Sequence, residues 1–190
     1  MENQDTFQPE QPTNEIEELS HTDKIVGVIS EPSNLFSKLS FLSTKATDWL
    51  LPLFLLIIVA IVSTFIYMSN PEIKLEMQQQ QEKAMREQFQ KTVESGQMTQ
   101  QQVDEQLDKT AEMMNNPMII YLIPSISIFV IMLLWFFIFT TIAFLISKFA
   151  FKGDGSYSQA MTAMGLPMYI SVLQSIILVI VGLLMGKMLT

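Results

Sequence analysis

The feature that most constrains this chain is the apolar run at residues 118–147, which contains no charged residue. It reads MIIYLIPSISIFVIMLLWFFIFTTIAFLIS. Uncharged apolar runs of about 18 or more residues are typical of membrane-spanning helices, because lipid cannot hydrate an exposed backbone. As a helix this run would extend about 45 Å, against roughly 30 Å of hydrocarbon. It is therefore predicted to be a span with additional length.

Pro124 indicates which part of the run exceeds the length of a span. Proline lacks the N–H of a helical hydrogen bond and its ring clashes with the preceding turn, so a kink is predicted there. We interpret residues 118–123 as an approach segment near the headgroups and 124–147 as the second span; one tilted, kinked helix is the alternative. We also expect this helix to be central, with the other two packed against it.

Two further uncharged windows indicate a polytopic membrane protein. The chain is 49% hydrophobic and 16% charged, where soluble proteins carry about 25% charged residues. The first span is predicted at 49–68, with Pro52 in its first turn, and the third at 168–187, after a bend at Pro167. The predicted fold class is all-α, a membrane helical bundle of three spans.

The remaining segments are predicted from their polarity. Residues 1–22 are acidic and are typical of a disordered tail. Residues 23–48 are predicted to form amphipathic helices in the membrane interface. Residues 69–117 are predicted to be an extramembrane helical hairpin, and 148–167 a basic turn with a short amphipathic helix. The apolar face expected to lie on the membrane comprises Leu35, Phe36, Leu39 and Leu42.

Three residues of the third span are predicted to pack against other helices. Gln174 lies near its middle, where an amide in lipid normally hydrogen-bonds to another helix. Gly182 and Gly186 form a G-x-x-x-G pattern, which is typical of close helix packing. The helices that pack against these residues would belong to further spans or to a second copy of the chain.

Charge and composition exclude several kinds of site. The net charge of −8 arises mainly in residues 1–23, which hold seven acids and no Lys or Arg, and nothing resembles the basic patch of a nucleic-acid-binding protein. Cysteine is absent and His21 is the single histidine. The predicted spans contain no ionisable residue before Lys187, whereas acid–base chemistry and proton relays need such groups. We predict no catalytic residue, no cofactor and no metal site.

Lysines near the span ends predict the orientation. The segment before the first span and the turn at 148–152 lie on the same side, and their lysines are densely spaced. This side is therefore predicted to be cytoplasmic, with the N-terminus inside and residues 69–117 outside.

Several motifs resemble the Yip (Ypt-interacting protein) domain family. They are I-V-G-V-I-S-E-P-S-N-L-F from residue 25, W-L-L-P-L from 49, the segment from Gly96 to T-Q-Q-Q-V-D-E-Q, and F-K-G-D-G-S-Y-S-Q-A-M-T-A-M-G from 151. The resemblance covers about residues 24–190 and rests on apolar patterns. It implies a cytoplasmic N-terminus and usually five spans. Eukaryotic members bind Rab-type GTPases and coat-vesicle machinery, whereas bacterial members have no firmly assigned activity. Because this chain stops after three spans, we expect a fragment or a short member, of bacterial type.

These observations favour a non-enzymatic membrane scaffold or adaptor of the Yip type in the bacterial inner membrane, serving membrane organisation or trafficking-like processes. Its partners would be the lipid bilayer and other membrane helices. One alternative is an Oxa/YidC-like insertase, because small members also have three spans with a helical hairpin after the first. The absence of an intramembrane polar groove and the net charge of −4 in residues 69–117 count against it. The other alternative is a transporter or channel subunit.

Overall fold

The computed structural model describes residues 19–113 and 116–186, which form helices joined by short turns. No strand occurs in these residues, so the predicted all-helical class is confirmed. In chain order the elements are α1 (His21–Ser30), α2 (Pro32–Leu39), α3 (Thr47–Ser69), α4 (Pro71–Glu94), α5 (Gln100–Met113), a π-helical turn (Met118–Leu122), α6 (Ile123–Phe149), α7 (Tyr157–Gly165) and α8 (Met168–Met185).

Three helical segments are long and apolar enough to cross a membrane, which agrees with the predicted number of spans. They are Thr47–Ser69, Met118–Phe149 and Tyr157–Met185. The first begins two residues before the predicted boundary. The third includes α7 and the following turn as well as α8.

The chain divides into two compact units, the first of which ends at Ser43. Residues 1–18 of the predicted acidic tail lie outside the described residues, and α1 begins at His21. Ser20 caps this helix: its hydroxyl accepts from the Asp23 N–H at 3.2 Å, and the Asp23 carboxylate accepts from the Ser20 N–H at 3.1 Å. This reciprocal pair is a capping box, which satisfies two backbone donors at the helix start.

Two leucines of α2 pack inside the protein. Leu35 and Leu39 are buried in the protein, and a Cβ atom at Gly27 would lie only 3.2 Å from the Leu35 Cβ. Part of the stripe expected to lie on the membrane is therefore used for packing, because the glycine lets α1 approach α2. Among residues 19–43 of this unit, the exposed large apolar side chains are Val26, Ile29 and Phe41.

In the second unit, α3 runs antiparallel to α6. Aromatic ring pairs join α3 to α6 and to the π-helical turn before it. They include Trp49–Phe136 and Phe54–Phe129, with centroid distances of 5.4 and 6.3 Å, and Phe65–Tyr121 of the turn, at 4.7 Å. Residue numbers rise along α3 while they fall along α6, which fixes the relative direction. Such ring pairs add about 0.5–1.5 kcal/mol each beyond the burial of their area.

Helix α8 lies beside α3 and runs parallel to it. Near the start of both helices, Met168 packs against the apolar core of Leu53, Ile57 and Phe136. Near their ends, the Tyr67 hydroxyl donates to the backbone carbonyl of Leu178 at 3.3 Å. Since α3 packs against both α6 and α8, it is the central helix, and our expectation that the second span would be central is wrong.

The predicted kink at Pro124 coincides with a change of helical type. Met118–Leu122 is a π-helical turn, in which the Ile123 N–H donates to the Met118 carbonyl, and α6 follows directly. Pro124 has no N–H to donate to the preceding turn. Next to it, the Ser125 hydroxyl donates to the carbonyl of Tyr121, four residues earlier, at 2.6 Å. The segment predicted as an approach leg is thus helical and continuous with the span.

Helices α4 and α5 are polar and have well-defined starts. The Asn70 side chain accepts from the N–H groups of Glu72 and Ile73, so it caps α4. Thr99 and Gln102 exchange hydrogen bonds of 2.8 and 3.3 Å, which form a capping box at the start of α5. A groove of about 280 Å³ is lined by both helices: Gln78, Glu82, Met85 and Arg86 of α4, and Leu107, Asp108, Thr110 and Ala111 of α5.

Candidate functional site

Four helices of the second unit each carry a buried polar side chain: Asp48 on α3, Thr140 on α6, Thr162 on α7 and Tyr169 on α8. We call the set formed by Asp48, Thr140, Thr162 and Tyr169 the polar junction. Their exposed fractions are 1%, 0%, 1% and 6%, respectively. Such groups are costly to bury in an apolar environment, so they are the first candidates for a function beyond anchorage.

Asp48 lies in the first turn of α3, where a negatively charged carboxylate is stabilised by the helix dipole. Its Oδ2 accepts a hydrogen bond of 3.0 Å from the Lys45 N–H. Asp48 also interacts electrostatically with Tyr169 near the start of α8. The sequence placed Asp48 just outside a span free of ionisable residues. Because α3 begins at Thr47, the carboxylate instead lies inside the helix and is buried.

A close backbone approach holds α7 against the start of α3. A Cβ atom at Gly165 would lie 2.5 Å from the Trp49 Cβ and 2.6 Å from the Trp49 Cα, so only glycine fits. The carbonyl of Asp48 would be 3.5 Å from the same atom. That carbonyl is the one to which residue 52 would donate in a regular helix, and Pro52 has no N–H. The Asp48 carbonyl is therefore close to Gly165 of α7 and receives no hydrogen bond from Pro52 of its own helix.

Two threonine hydroxyls are buried in this region. Neither Thr140 Oγ1 nor Thr162 Oγ1 has a hydrogen-bond partner in the part of the chain that the structure describes. By contrast, two other hydroxyl pairs are hydrogen-bonded. The oxygens of Thr44 and Ser158 lie 2.6 Å apart, and those of Thr141 and Tyr157 lie 3.0 Å apart. Within the polar junction, Asp48 is hydrogen-bonded, whereas the hydroxyls of Thr140 and Thr162 have no partner among the described residues.

The three prolines singled out in the sequence lie at both ends of the bundle. Pro52 is buried in the second turn of α3, later than predicted, because the helix starts earlier. Pro167 is half-buried in the turn between α7 and α8, at the same end of the unit. Pro124 lies at the start of α6, beside the π-helical turn at the opposite end. The structure does not bring the three together.

The third-span residues have different environments. Gln174 is exposed, so its cross-helix hydrogen bond stays a prediction. Gly182 is buried. Gly186 has φ 64° and ψ 22°, the left-handed conformation that ends α8, so its role here is that of a C-terminal cap.

Sequence reasoning missed Tyr67. Its side chain is 7% exposed and clusters with Ile73 and Val179. A tyrosine near the end of a span fits either environment, and only its distant partner on α8 distinguishes them. The same holds for Asp48, which has no sequence neighbour that indicates burial.

The chemistry available to the polar junction is that of one carboxylate, one phenol and two aliphatic hydroxyls. In residues 19–113 and 116–186, no group of three or more His, Asp or Glu side chains is arranged to hold a metal ion. Comparisons with protein-family models, curated protein sequences and solved structures found no match for this chain.

Proposed function

We propose that this chain is a non-enzymatic integral membrane scaffold or adaptor of the Yip type, which acts by packing against other membrane helices. One observation carries this proposal. Only 17%, 11% and 22% of the most apolar windows of the three spans are buried within the chain. Packing inside the chain therefore covers little of the apolar surface, and lipid and neighbouring helices cover the rest.

The exposed face of α8 supports an adaptor role. It presents Leu173, Ile177 and Leu184, which are 49%, 59% and 82% exposed, together with the amide of Gln174. A neighbouring helix that packs here would supply the hydrogen-bond partner that an amide in lipid requires. This face is the surface on which we expect the partner helix.

The polar segments fit the same proposal. In our topology α4 and α5 form the predicted hairpin outside the membrane, and the groove that both helices line is consistent with their packing together. In the N-terminal unit, Val26, Ile29 and Phe41 supply the apolar contacts of an interfacial segment. The inner membrane of a bacterium, with the N-terminus in the cytoplasm, is the proposed location.

Site-specific photo-crosslinking in cells tests the adaptor role. A photoreactive amino acid at Ile177, which is 59% exposed, should yield a discrete protein adduct. The same amino acid at Ile57, which is 1% exposed, is the matched control and should give no adduct to another protein. If Ile177 yields adducts to lipid alone, the adaptor role is wrong.

Reconstitution tests the class of function. In liposomes, the purified full-length chain should leave the permeability to H⁺, Na⁺ and K⁺ at the level of protein-free vesicles. Flux above that level would replace the scaffold by a transporter or channel subunit.

A further inference from the structure

The turn that follows α6 exposes two aromatic rings at the edge of the membrane. We call residues 148–152, Lys-Phe-Ala-Phe-Lys, the KFAFK turn. Phe149 and Phe151 are 76% and 79% exposed. Among the large apolar side chains of the described residues, only Phe41 and Leu184 are exposed to a similar degree. Since the apolar span itself ends at Phe149, these rings lie at the level of the headgroups.

Two lysines flank the rings. Lys148 Nζ lies 5.4 Å from the centroid of the Phe144 ring, and both lysines are exposed. Neither forms an ion pair within the part of the chain that the structure describes. The nearest acid in the sequence is Asp154, which is also exposed, so residues 148–154 carry two positive charges against one negative. This contrasts with the net charge of −8 of the whole chain.

The backbone of the turn is fixed in an unusual conformation. The Phe151 N–H donates to the Ile146 carbonyl at 3.3 Å, and the Gly153 N–H donates to the Ser147 carbonyl at 3.0 Å. Lys152 has a φ of 54°, and no other non-glycine residue in the described ranges has a positive φ. Glycine adopts this conformation without strain, whereas lysine does not. Lysine therefore adopts this conformation at an energetic cost, and it carries a positive charge directly after Phe151.

We propose that the KFAFK turn binds the headgroups of anionic phospholipids. The two ammonium groups complement a phosphodiester with a net negative charge, and the two rings contact the upper part of the acyl chains. A zwitterionic headgroup offers no net charge to the lysines. An acidic protein segment would meet the same charges but would leave the two rings in water, so the combination favours lipid.

Lipid competition tests the proposal with the full-length chain. The protein is placed in nanodiscs with equal amounts of phosphatidylglycerol and phosphatidylcholine, and the lipids that stay bound after transfer to detergent are counted by native mass spectrometry. We expect the wild type to retain phosphatidylglycerol preferentially. The K148Q/K152G variant should lose most of this preference. One lysine near an anionic surface changes binding about five-fold, so the double variant should change it by at most about twenty-five-fold.

The K83Q/K91Q variant is the matched control. It removes two exposed lysines of α4, so its change in net charge is the same. Because K152G places glycine at the left-handed position, the turn is expected to fold, and the emission spectrum of the two tryptophans checks this. The preference should remain in the control. Equal retention of both lipids by the wild type, or an equal loss in the control, would overturn the proposal.

Discussion

The contact between α7 and the start of α3 can be tested by Gly165→Ala. The added methyl group would lie 2.5 Å from the Trp49 Cβ and 2.6 Å from its Cα. These atoms are fixed by the backbone, so no rotation of the indole relieves the overlap. Reaching an ordinary carbon–carbon distance of about 3.6 Å requires a shift of roughly 1 Å between the two segments.

The expected cost follows from two opposing effects. Overpacking of this kind costs about 1–3 kcal/mol, and alanine in a helix recovers up to about 1 kcal/mol relative to glycine. We therefore expect a net destabilisation of about 1–2 kcal/mol, which for a chain of this length lowers the melting temperature by about 2–8 °C. Thermal unfolding in one detergent, followed by tryptophan fluorescence, measures it.

Gly155→Ala is the matched control. Its added Cβ would meet only the Gln159 Oε1, at the ordinary contact distance of 3.5 Å, so the stability should hardly change. If Gly165→Ala melts within about 1 °C of Gly155→Ala, the close approach between α7 and α3 is not present in the protein.

Three further predictions concern polar groups. Because their hydroxyls are buried without partners in the described residues, replacing Thr140 or Thr162 by valine should leave the melting temperature unchanged or raise it; a clear decrease would mean that the hydroxyls are bonded. Tyr67→Phe removes the hydrogen bond to an α8 carbonyl and should cost about 0.5–1 kcal/mol in the same melting assay, so an unchanged melting temperature would exclude that bond. The hydrogen bond and charge of the Lys109 ammonium lower the pKa of the Glu105 carboxyl. The pair therefore supports α5 at neutral pH, and this support is lost as the pH falls through the lowered pKa. An NMR titration should show the Glu105 pKa rising toward its ordinary range in K109Q, and equal values in both proteins would contradict the pairing.

The fold class was predictable from the sequence because it depends on local features. The absence of charge over the run at 118–147 and the other two windows is sufficient to indicate spans. The start of α5 was likewise predictable, since Thr99 and Gln102 lie three residues apart and satisfy each other within one turn.

The packing of the spans was not predictable, because it depends on pairs of distant residues. α3 is central because Trp49 stacks on Phe136 of α6 and Tyr67 bonds to α8, and in each case the partner is distant along the chain. The second span contains the longest apolar run, but the length of a run does not determine which of the three helices contacts the other two. The burial of Asp48 escaped prediction for the same reason.

Accessibility of two engineered cysteines tests the central claim that the chain crosses the membrane in alternating directions. Gln90 of α4 and Asp154, in the connection after α6, are both exposed, and the chain has no cysteine of its own. Q90C and D154C are labelled with a maleimide that passes the outer but not the inner membrane. We expect Q90C to react in intact cells and D154C to react only after lysis. Equal labelling of the two would contradict a second crossing by α6, and protection of Q90C alone would reverse the orientation and favour the insertase-like arrangement.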